Sequence, residues 1–431
     1  MNSLRRNTIF AAAGNFSSTA MLAVAILVIA WFGDPELVGR YSYALAICAP
    51  IFLLAHLRLR DVKATQVEKA YFLSDYFHIS IATNALALIL VPTVCWFLAL
   101  DTETLLVAFL IGLWKVTLGL SDLVYGYHQG KSNLKLVSRL QITHAVASTV
   151  LFSLTFIATR NLPLAVGLLF PLNAVLFVVF DFATVKENLG HLPRSADAER
   201  NRRLTRLLMS ALPLGLGGAI FALNMVIPRG LLEHHFSLAE VGVFAALAFF
   251  ARAGTPVIQA FGQASSRRLA KAVAEGNSQD FMKIQWQACK IPVALGLTAI
   301  VGGWFIGQQV VTGVYGADYL TSRFAIVLIA TYATLVYIST VLTYGVIAAR
   351  RLKSQLVVLS LTVVAVFIGC RLLVPEYGIT GACASLAISA VVRIIGNVVI
   401  NVQAVQAMAT TGSNPPANSR KPHKLTTESG T

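Results

Sequence analysis

The sequence predicts an all-α, polytopic membrane protein of about twelve transmembrane helices, and three observations predict it. Of the 431 residues, 56% are hydrophobic and only 12% are charged, against about 25% charged in a soluble domain. Mean hydropathy is +0.71. Apolar runs long enough to span a bilayer, about 20 residues each, recur along the whole chain with short connections. This composition excludes a cytosolic globular enzyme and a disordered or fibrous chain.

The runs place spans at 8–32, 37–57, 73–99, 104–126, 135–159, 162–184, 205–228, 240–264, 287–308, 322–347, 355–374 and 379–406. Arg5 and Arg6 precede the first run. That run is too long for a signal-peptide core and lacks a small-residue cleavage site, so it reads as an uncleaved helix. The five cysteines, Cys48, Cys95, Cys289, Cys370 and Cys383, all lie in apolar runs without a CxxC pair. They read as small buried hydrophobes.

The formal charge is +15, from 34 Lys and Arg against 19 Asp and Glu. Its placement is topological. The N-terminus, the connections near 58–72, 127–139, 185–206, 265–290 and 348–354, and the tail are basic. The opposite connections hold only Arg40, Arg160, Arg229, Arg323 and Arg371, beside acids such as Asp34, Glu36, Asp101 and Glu233. The positive-inside rule then puts both termini in the cytoplasm. The bilayer is the expected partner of the basic loops, and no nucleic acid is expected.

The longest polar connection, near 185–206, divides the spans six and six. Leu37-Val38-Gly39-Arg40-Tyr41 opens span 2 and Glu240-Val241-Gly242-Val243-Phe244 opens span 8, at the same place in each half. An even number of spans per half makes the halves parallel repeats about an axis along the membrane normal. The expected organisation is a six-helix bundle over 1–190, a cytoplasmic linker over 191–206, a second bundle over 207–407, and a Pro-, Ser- and Asn-rich disordered tail over 408–431.

Mid-span charges are the most informative feature. A cation at a helix centre costs about 2.5–3.5 kcal/mol, so three cost on the order of 8–10 kcal/mol unless compensated. This chain has Lys115, Arg252 and Arg393 near the centres of their spans. Lys115 shares a helical face with Ala108, Gly112, Gly119 and Asp122; Arg252 aligns with Thr255, Gln259 and Gln263; and Arg393 aligns with Ser385, Ser389, Asn397 and Asn401. Lipid-facing helices do not carry such stripes, so these faces meet protein or line a water-filled cavity. Lys115 and Asp122 lie about 10 Å apart along one helix, too far for a direct pair. Structural pairing with Asp122, Asp181 or backbone carbonyls is the plainer alternative for any one cation. For all three, mid-span acids are too few. Unpaired cations suit an anionic ligand, and arginine suits phosphate through its forked donors. The expected substrate-binding residues are therefore Lys115, Arg252, Arg393, Asp122, Asn397 and Gln259, with Asn15 and Asn224 as weaker candidates.

No catalytic or metal signature emerges, and no cofactor is expected. Gly126-Tyr-His-Gln-Gly130-Lys131-Ser132 is one residue short of a P-loop and follows a membrane helix instead of a strand. It reads as a polar loop. Glu233-His234-His235 places adjacent histidines on different helix faces without further ligands, and reads as a headgroup-level loop.

Residues 37–66 (LVGRYSYALAICAPIFLLAHLRLRDVKATQ), 227–254 (IPRGLLEHHFSLAEVGVFAALAFFARAG), 314–319 (VYGADY) and 377–393 (YGITGACASLAISAVVR) resemble bacterial polysaccharide transporters. These are the Wzx-type O-antigen and exopolysaccharide flippases of the multidrug/oligosaccharidyl-lipid/polysaccharide exporter superfamily. The resemblance implies two six-helix bundles around a central cationic cavity (a MATE-like fold). It also implies translocation of an undecaprenyl-diphosphate-linked oligosaccharide across the bacterial inner membrane, from the cytoplasmic to the periplasmic leaflet. The lipid-linked oligosaccharide is the implied partner, with polysaccharide polymerase and export-complex proteins downstream. A small-molecule or cation antiporter of the same superfamily would favour an acidic cavity, yet span 1 has no acid between Thr8 and Phe32. A membrane polymerase or glycosyltransferase would need a larger outside loop or catalytic acids. A non-transporting scaffold would not need midplane cations.

Overall fold

The computed structural model describes residues 2–65, 71–188, 197–252 and 254–412. Its helices are α1 (Asn2–Phe32), α2 (Pro35–His56), α3 (Leu59–Thr65), α4 (Leu73–Phe97), α5 (Thr102–Gly130), α6 (Leu134–Thr159), α7 (Leu162–Gly167), α8 (Leu169–Leu176), α9 (Asp197–His235), α10 (Leu238–Phe250), α11 (Thr255–Ala274), α12 (Ser278–Tyr315), α13 (Arg323–Ala348) and α14 (Leu352–Gly412). The turns between them carry polar caps because each new helix begins with unsatisfied N–H groups. Asp34 accepts from Leu37 N at 2.8 Å, Asn161 from Leu164 N at 2.9 Å, and Ser322 from Ala325 N at 3.1 Å.

Among the described residues, nine helical stretches are long and apolar enough to cross a membrane. One of them, Lys353–Met408, has 56 residues and would be about 84 Å long if straight, nearly three hydrocarbon thicknesses. It is two spans, broken at Gly378 (φ 52°, ψ −129°), a conformation that a side chain would strain. Counting it as two, and adding the shorter apolar helices Phe16–Phe32 and Leu238–Phe250, gives the twelve spans expected.

Three spans differ in form. Span 8 is not one helix: α10 stops at Phe250, a turn carries Arg252, and α11 begins at Thr255. Span 6 is α7 and α8 followed by a π-helical turn, Phe177–Asp181, and a 3-10 turn, Phe182–Thr184. Span 7 does not end at 228; α9 continues through Pro228 to His235. Residues 197–206, expected within the linker, form the first turns of α9. The disordered-tail expectation falls, beyond Gly412, outside the described residues.

The core shows how the halves meet. At the end where α1 stops and α2 starts, expected outside, one continuous apolar core joins both halves, from Ile29, Val38 and Phe156 to Val241, Tyr315 and Leu386. Towards the other end the core divides. Leu57, Tyr76 and Leu123 of the first half form one cluster with Leu207 of α9; Leu269, Phe281, Ile284 and Met408 form another in the second half. The first half packs α1 on α6 and α4 on α5; the second packs α13 on α12 and α14. Helix α9 bridges them, lying against α2 on one side and α14 on the other. One core thus seals the two halves together where α1 meets α2, and separate clusters lie towards the opposite end.

Candidate functional site: a polar cavity and an arginine cluster

The first half contains a 420 Å³ cavity. Helix α5 supplies Trp114, Lys115, Asp122 and Tyr125; of the stripe read from sequence, Lys115 and Asp122 line the cavity, while Gly112 packs against Leu88 and Phe52 and Gly119 against His56. The rest of the wall comes from Ser18 and Thr19 on α1, Gln141, His144 and Ser148 on α6, Asn173 on α8, and Arg60. Asp122 is already paired: Arg60 Nη1 lies 3.2 Å from its Oδ1. Lys115 lies beside the Trp114 ring, 5.6 Å from its centroid. Among the described residues it forms no ion pair within 4.0 Å; its ammonium senses Asp122 only at longer range. Arg60 was not expected here. It sits just beyond span 2 among loop cations, and only the close approach of Arg60 backbone to Gly126, where a Cβ would lie 2.7 Å from the Arg60 carbonyl oxygen, brings it onto α5.

The second half concentrates arginines. Tyr332 on α13 feels the charges of Arg252, Arg393 and Arg229 together, and Arg229 and Arg252 repel one another. Arg393 lies over the Phe221 ring at 4.7 Å and Arg229 over Phe244 at 5.4 Å. Arg229 Nη1 donates to the Met225 carbonyl at 2.7 Å. The Nε groups of Arg229 and Arg393 are buried without a partner. None of the three has a carboxylate within ion-pair distance among the described residues. Such a cluster has unspent donors and uncompensated charge, and the ligand that satisfies both is an anion.

Arg252 reaches this place because its helix breaks. Tyr337 Oη donates to the Ala251 carbonyl at 2.7 Å and accepts from Gly254 N at 2.9 Å. One side chain thus satisfies both backbone groups freed at the break, the condition on which irregular backbone survives inside a membrane.

The sequence-derived residues divide accordingly. Lys115 and Asp122 line the cavity; Arg252 and Arg393 join the cluster. Arg229 was expected in an outside loop, and this is corrected: it is 7% exposed within α9. Asn397 is buried, donating to the Ser339 carbonyl at 3.1 Å, Ser339 Oγ at 3.0 Å and Thr343 Oγ1 at 3.1 Å. It joins α14 to α13, and its amide donors are committed to that contact. Asn224 is likewise buried, donating to the Phe221 carbonyl at 3.1 Å. Gln259 has an exposed side chain on α11, on a different helix from α10 and beyond the turn that holds Arg252. The Asn15 side chain is outside the described ones. The P-loop-like segment is the last turn of α5 and its cap at Lys131. His234 and His235 end α9 with rings 4.9 Å apart, and no group of three metal-binding side chains occurs among the described residues.

The fold is that of solved transporters of the multidrug/oligosaccharidyl-lipid/polysaccharide exporter superfamily. An inward-facing multidrug-resistance MATE transporter of that superfamily superposes with TM-score 0.65 at 13% identity, over 94% of this chain and 96% of the other. The lipid II flippase MurJ, in an inward closed conformation, gives TM-score 0.65 at 14% identity, over 95% and 94%. In sequence, the chain is 25% identical over 385 residues to the capsular polysaccharide biosynthesis protein CapF of Staphylococcus aureus, covering 88% of this chain and 95% of CapF. No family profile matches the chain. The resemblance to polysaccharide transporters read from the local strings agrees with both comparisons.

Proposed function

We propose that the protein is a flippase for polysaccharide assembly. It moves a polyprenyl-diphosphate-linked oligosaccharide, of the undecaprenyl type, from the cytoplasmic to the periplasmic leaflet of the bacterial inner membrane by alternating access. The observation that carries this reading is the cluster of Arg229, Arg252 and Arg393 around Tyr332, without an acid partner among the described residues. A diphosphate supplies the missing charge and the acceptors for their forked donors. The CapF likeness supports the polysaccharide context and the MurJ likeness supports the fold. The same cluster disfavours a small-cation antiporter, which needs a negative cavity, and nothing in the geometry calls for an enzyme.

In this reading the two bundles are 1–190 and 207–407, with the 191–206 connection between them, and both termini face the cytoplasm. The arginines take the diphosphate. Lys115 and the hydroxyl, amide and aromatic groups of the first-half cavity take the sugars. With the cell interior negative, export of the anion is electrically downhill by about 2.3 kcal/mol per charge per 100 mV. Polymerase and export proteins act on the product.

The test is lipid extraction from a strain lacking this protein with the rest of the pathway intact. A complete diphosphate-linked repeat unit, inaccessible to a membrane-impermeant reagent, is the expected result. Normal outer-leaflet amounts with short or absent polymer would overturn the proposal.

A further inference from the structure

One buried ionisable pair is used by neither the arginine cluster nor the Lys115 stripe. His144 on α6 places Nε2 3.0 Å from Asp181 Oδ2. Asp181 is fully buried and His144 is 5% exposed. Asp181 ends the π-helical turn Phe177–Asp181. Such turns insert an extra residue into a helix at a cost, and are frequent at functional positions. The pair borders the first-half cavity, whose wall includes His144 and its partner Asn173.

The groups at its two nitrogens bear on the form His144 takes. Its Nδ1 lies 2.8 Å from Asn173 Oδ1. That amide cannot be turned round, because its Nδ2 donates to the Leu169 carbonyl at 2.8 Å and to Ser148 Oγ at 2.9 Å. Asn173 therefore offers His144 an acceptor. Asp181 sets a carboxylate oxygen at ion-pair distance, 3.0 Å, from the opposite nitrogen, without an aligned hydrogen bond in this conformation. An imidazole with an acceptor at one nitrogen and a carboxylate beside the other is built to hold a second proton, as the imidazolium.

We propose that the His144–Asp181 pair is a proton-binding site, loaded in the conformation described here. Its proton is released when the bundles move to the alternative conformation. Release takes one proton from the ring to water in the cavity and leaves neutral imidazole beside carboxylate. One of the two contacts, to Asn173 or to Asp181, then loses its hydrogen, so α6 and α8 no longer prefer this arrangement. A buried ion pair is weak as a source of stability, and an ionisable group within a membrane is a functional element by default.

Among the described residues, the other charged or titratable groups facing the pair are Tyr125, Asp122, Lys115 and His128 on α5 and Arg60 on α3. Helix α1 adds Ser18 and Thr19 to the same cavity. Tyr125 is set edge-on to His144, with centroids 6.5 Å apart. His128 is held by Thr184 Oγ1 at 2.8 Å, and Asp122 by Arg60.

The test measures the separation of the inner ends, with no substrate present. Nitroxides are attached at Lys135→Cys and Gln279→Cys, both exposed positions; the five native cysteines are buried. Pulsed electron resonance then follows the distance distribution from pH 5.5 to 8.5 in lipid nanodiscs. Acid is expected to favour the inner-parted conformation, the ratio of conformers changing by up to about tenfold per pH unit for one linked proton. His144→Gln and Asp181→Asn should abolish this dependence. Asp181→Asn keeps an oxygen at the same place and serves if His144→Gln does not yield monodisperse protein. A wild-type distribution that ignores pH, or a dependence that survives in a folded variant, overturns the proposal. Because no lipid-linked sugar enters the experiment, its failure would leave the flippase reading standing, and the converse also holds.

Discussion

Gly39 and Gly242 face each other across the junction of the two halves in a reciprocal contact. A Cβ on Gly39 would overlap the Leu238 carbonyl oxygen and lie 3.0 Å from Gly242 N; a Cβ on Gly242 would overlap the Pro35 carbonyl oxygen and lie 3.0 Å from Gly39 N. Pro35 and Leu238 stand four residues before their glycines. The relation is what a two-fold axis between α2 and α10 produces, and it passes through the very motif repeated in the sequence. Trp31 Nε1, donating to the Val314 carbonyl at 2.6 Å, adds a second bond across the same end.

Gly39→Ala and Gly242→Ala should therefore behave alike. Each forces backbone from backbone at the sealed end, and overpacking of this kind costs about 1–3 kcal/mol. The expected outcome is a comparable fall in Tm for both in detergent. A large effect from one with none from the other would contradict the two-fold contact.

Neutralising the arginines should reduce transport without unfolding the protein. Arg229→Gln, Arg252→Gln and Arg393→Gln are each expected to lower the appearance of lipid-linked repeat in the outer leaflet by about tenfold or more, as for loss of a charge-assisted contact worth ~1.5–3 kcal/mol. Lysine at these positions should restore part of the loss. Leaflet-resolved mass spectrometry gives the readout, and the expected loss at Arg229 distinguishes its buried place in α9 from an outside-loop position.

Asn397→Ala should show the opposite pattern. Its amide NH2 reaches three acceptors on α13, with one of its two hydrogens shared, and loss of a buried donor strands acceptors at a cost of about 1–3 kcal/mol. Stability should fall while flux per folded molecule stays near wild type. Flux lost at unchanged Tm would return Asn397 to the substrate-binding set.

Tyr337→Phe removes the hydroxyl that satisfies both the Ala251 carbonyl and Gly254 N–H at the α10–α11 break. Transport should drop with all three arginines intact, because Arg252 loses its fixed position. Hydrogen exchange should rise at Gly254. Unchanged exchange there would mean that the break holds itself.

Asp101 caps α5 through Thr104 N at 3.1 Å and lies 3.6 Å from Arg40. Partial burial pushes its carboxyl up, but the bonds from Thr104 and the Arg40 charge outweigh this and hold it below the usual carboxylate range. A depressed native value means that the stabilisation is present at neutral pH and lost as pH falls through that value. Asp101→Asn should lower Tm at pH 7 and narrow the difference between pH 7 and pH 4. An unchanged difference would show that the acid response lies elsewhere.

The span count, the alternation of basic and acidic connections, and the repeat around Gly39 and Gly242 were legible in the sequence. Each is a property of a local run or of matching runs. Lys115, Asp122, Arg252 and Arg393 were legible as well, because an ionisable residue in an apolar run is conspicuous wherever it points. Asn397 shows the limit. It repeats at the same four-residue step as Arg393, yet α13 lies against Asn397 while Arg393 projects towards Phe221 on α9. Arg229 was hidden by Pro228, which reads as a stop and is instead carried inside a continuous helix.

The sequence by itself determined how many helices cross the membrane and which of their residues are too polar to face lipid, since transfer of a segment into hydrocarbon depends on its own composition. Only the tertiary structure decided what those residues meet. That Arg60 reaches Asp122, that Asn173 orients His144 towards Asp181, and that three arginines gather round Tyr332 all depend on the angle and register at which one helix packs on the next. Those are set by glycines and side-chain volumes on the facing surface, far away in the chain.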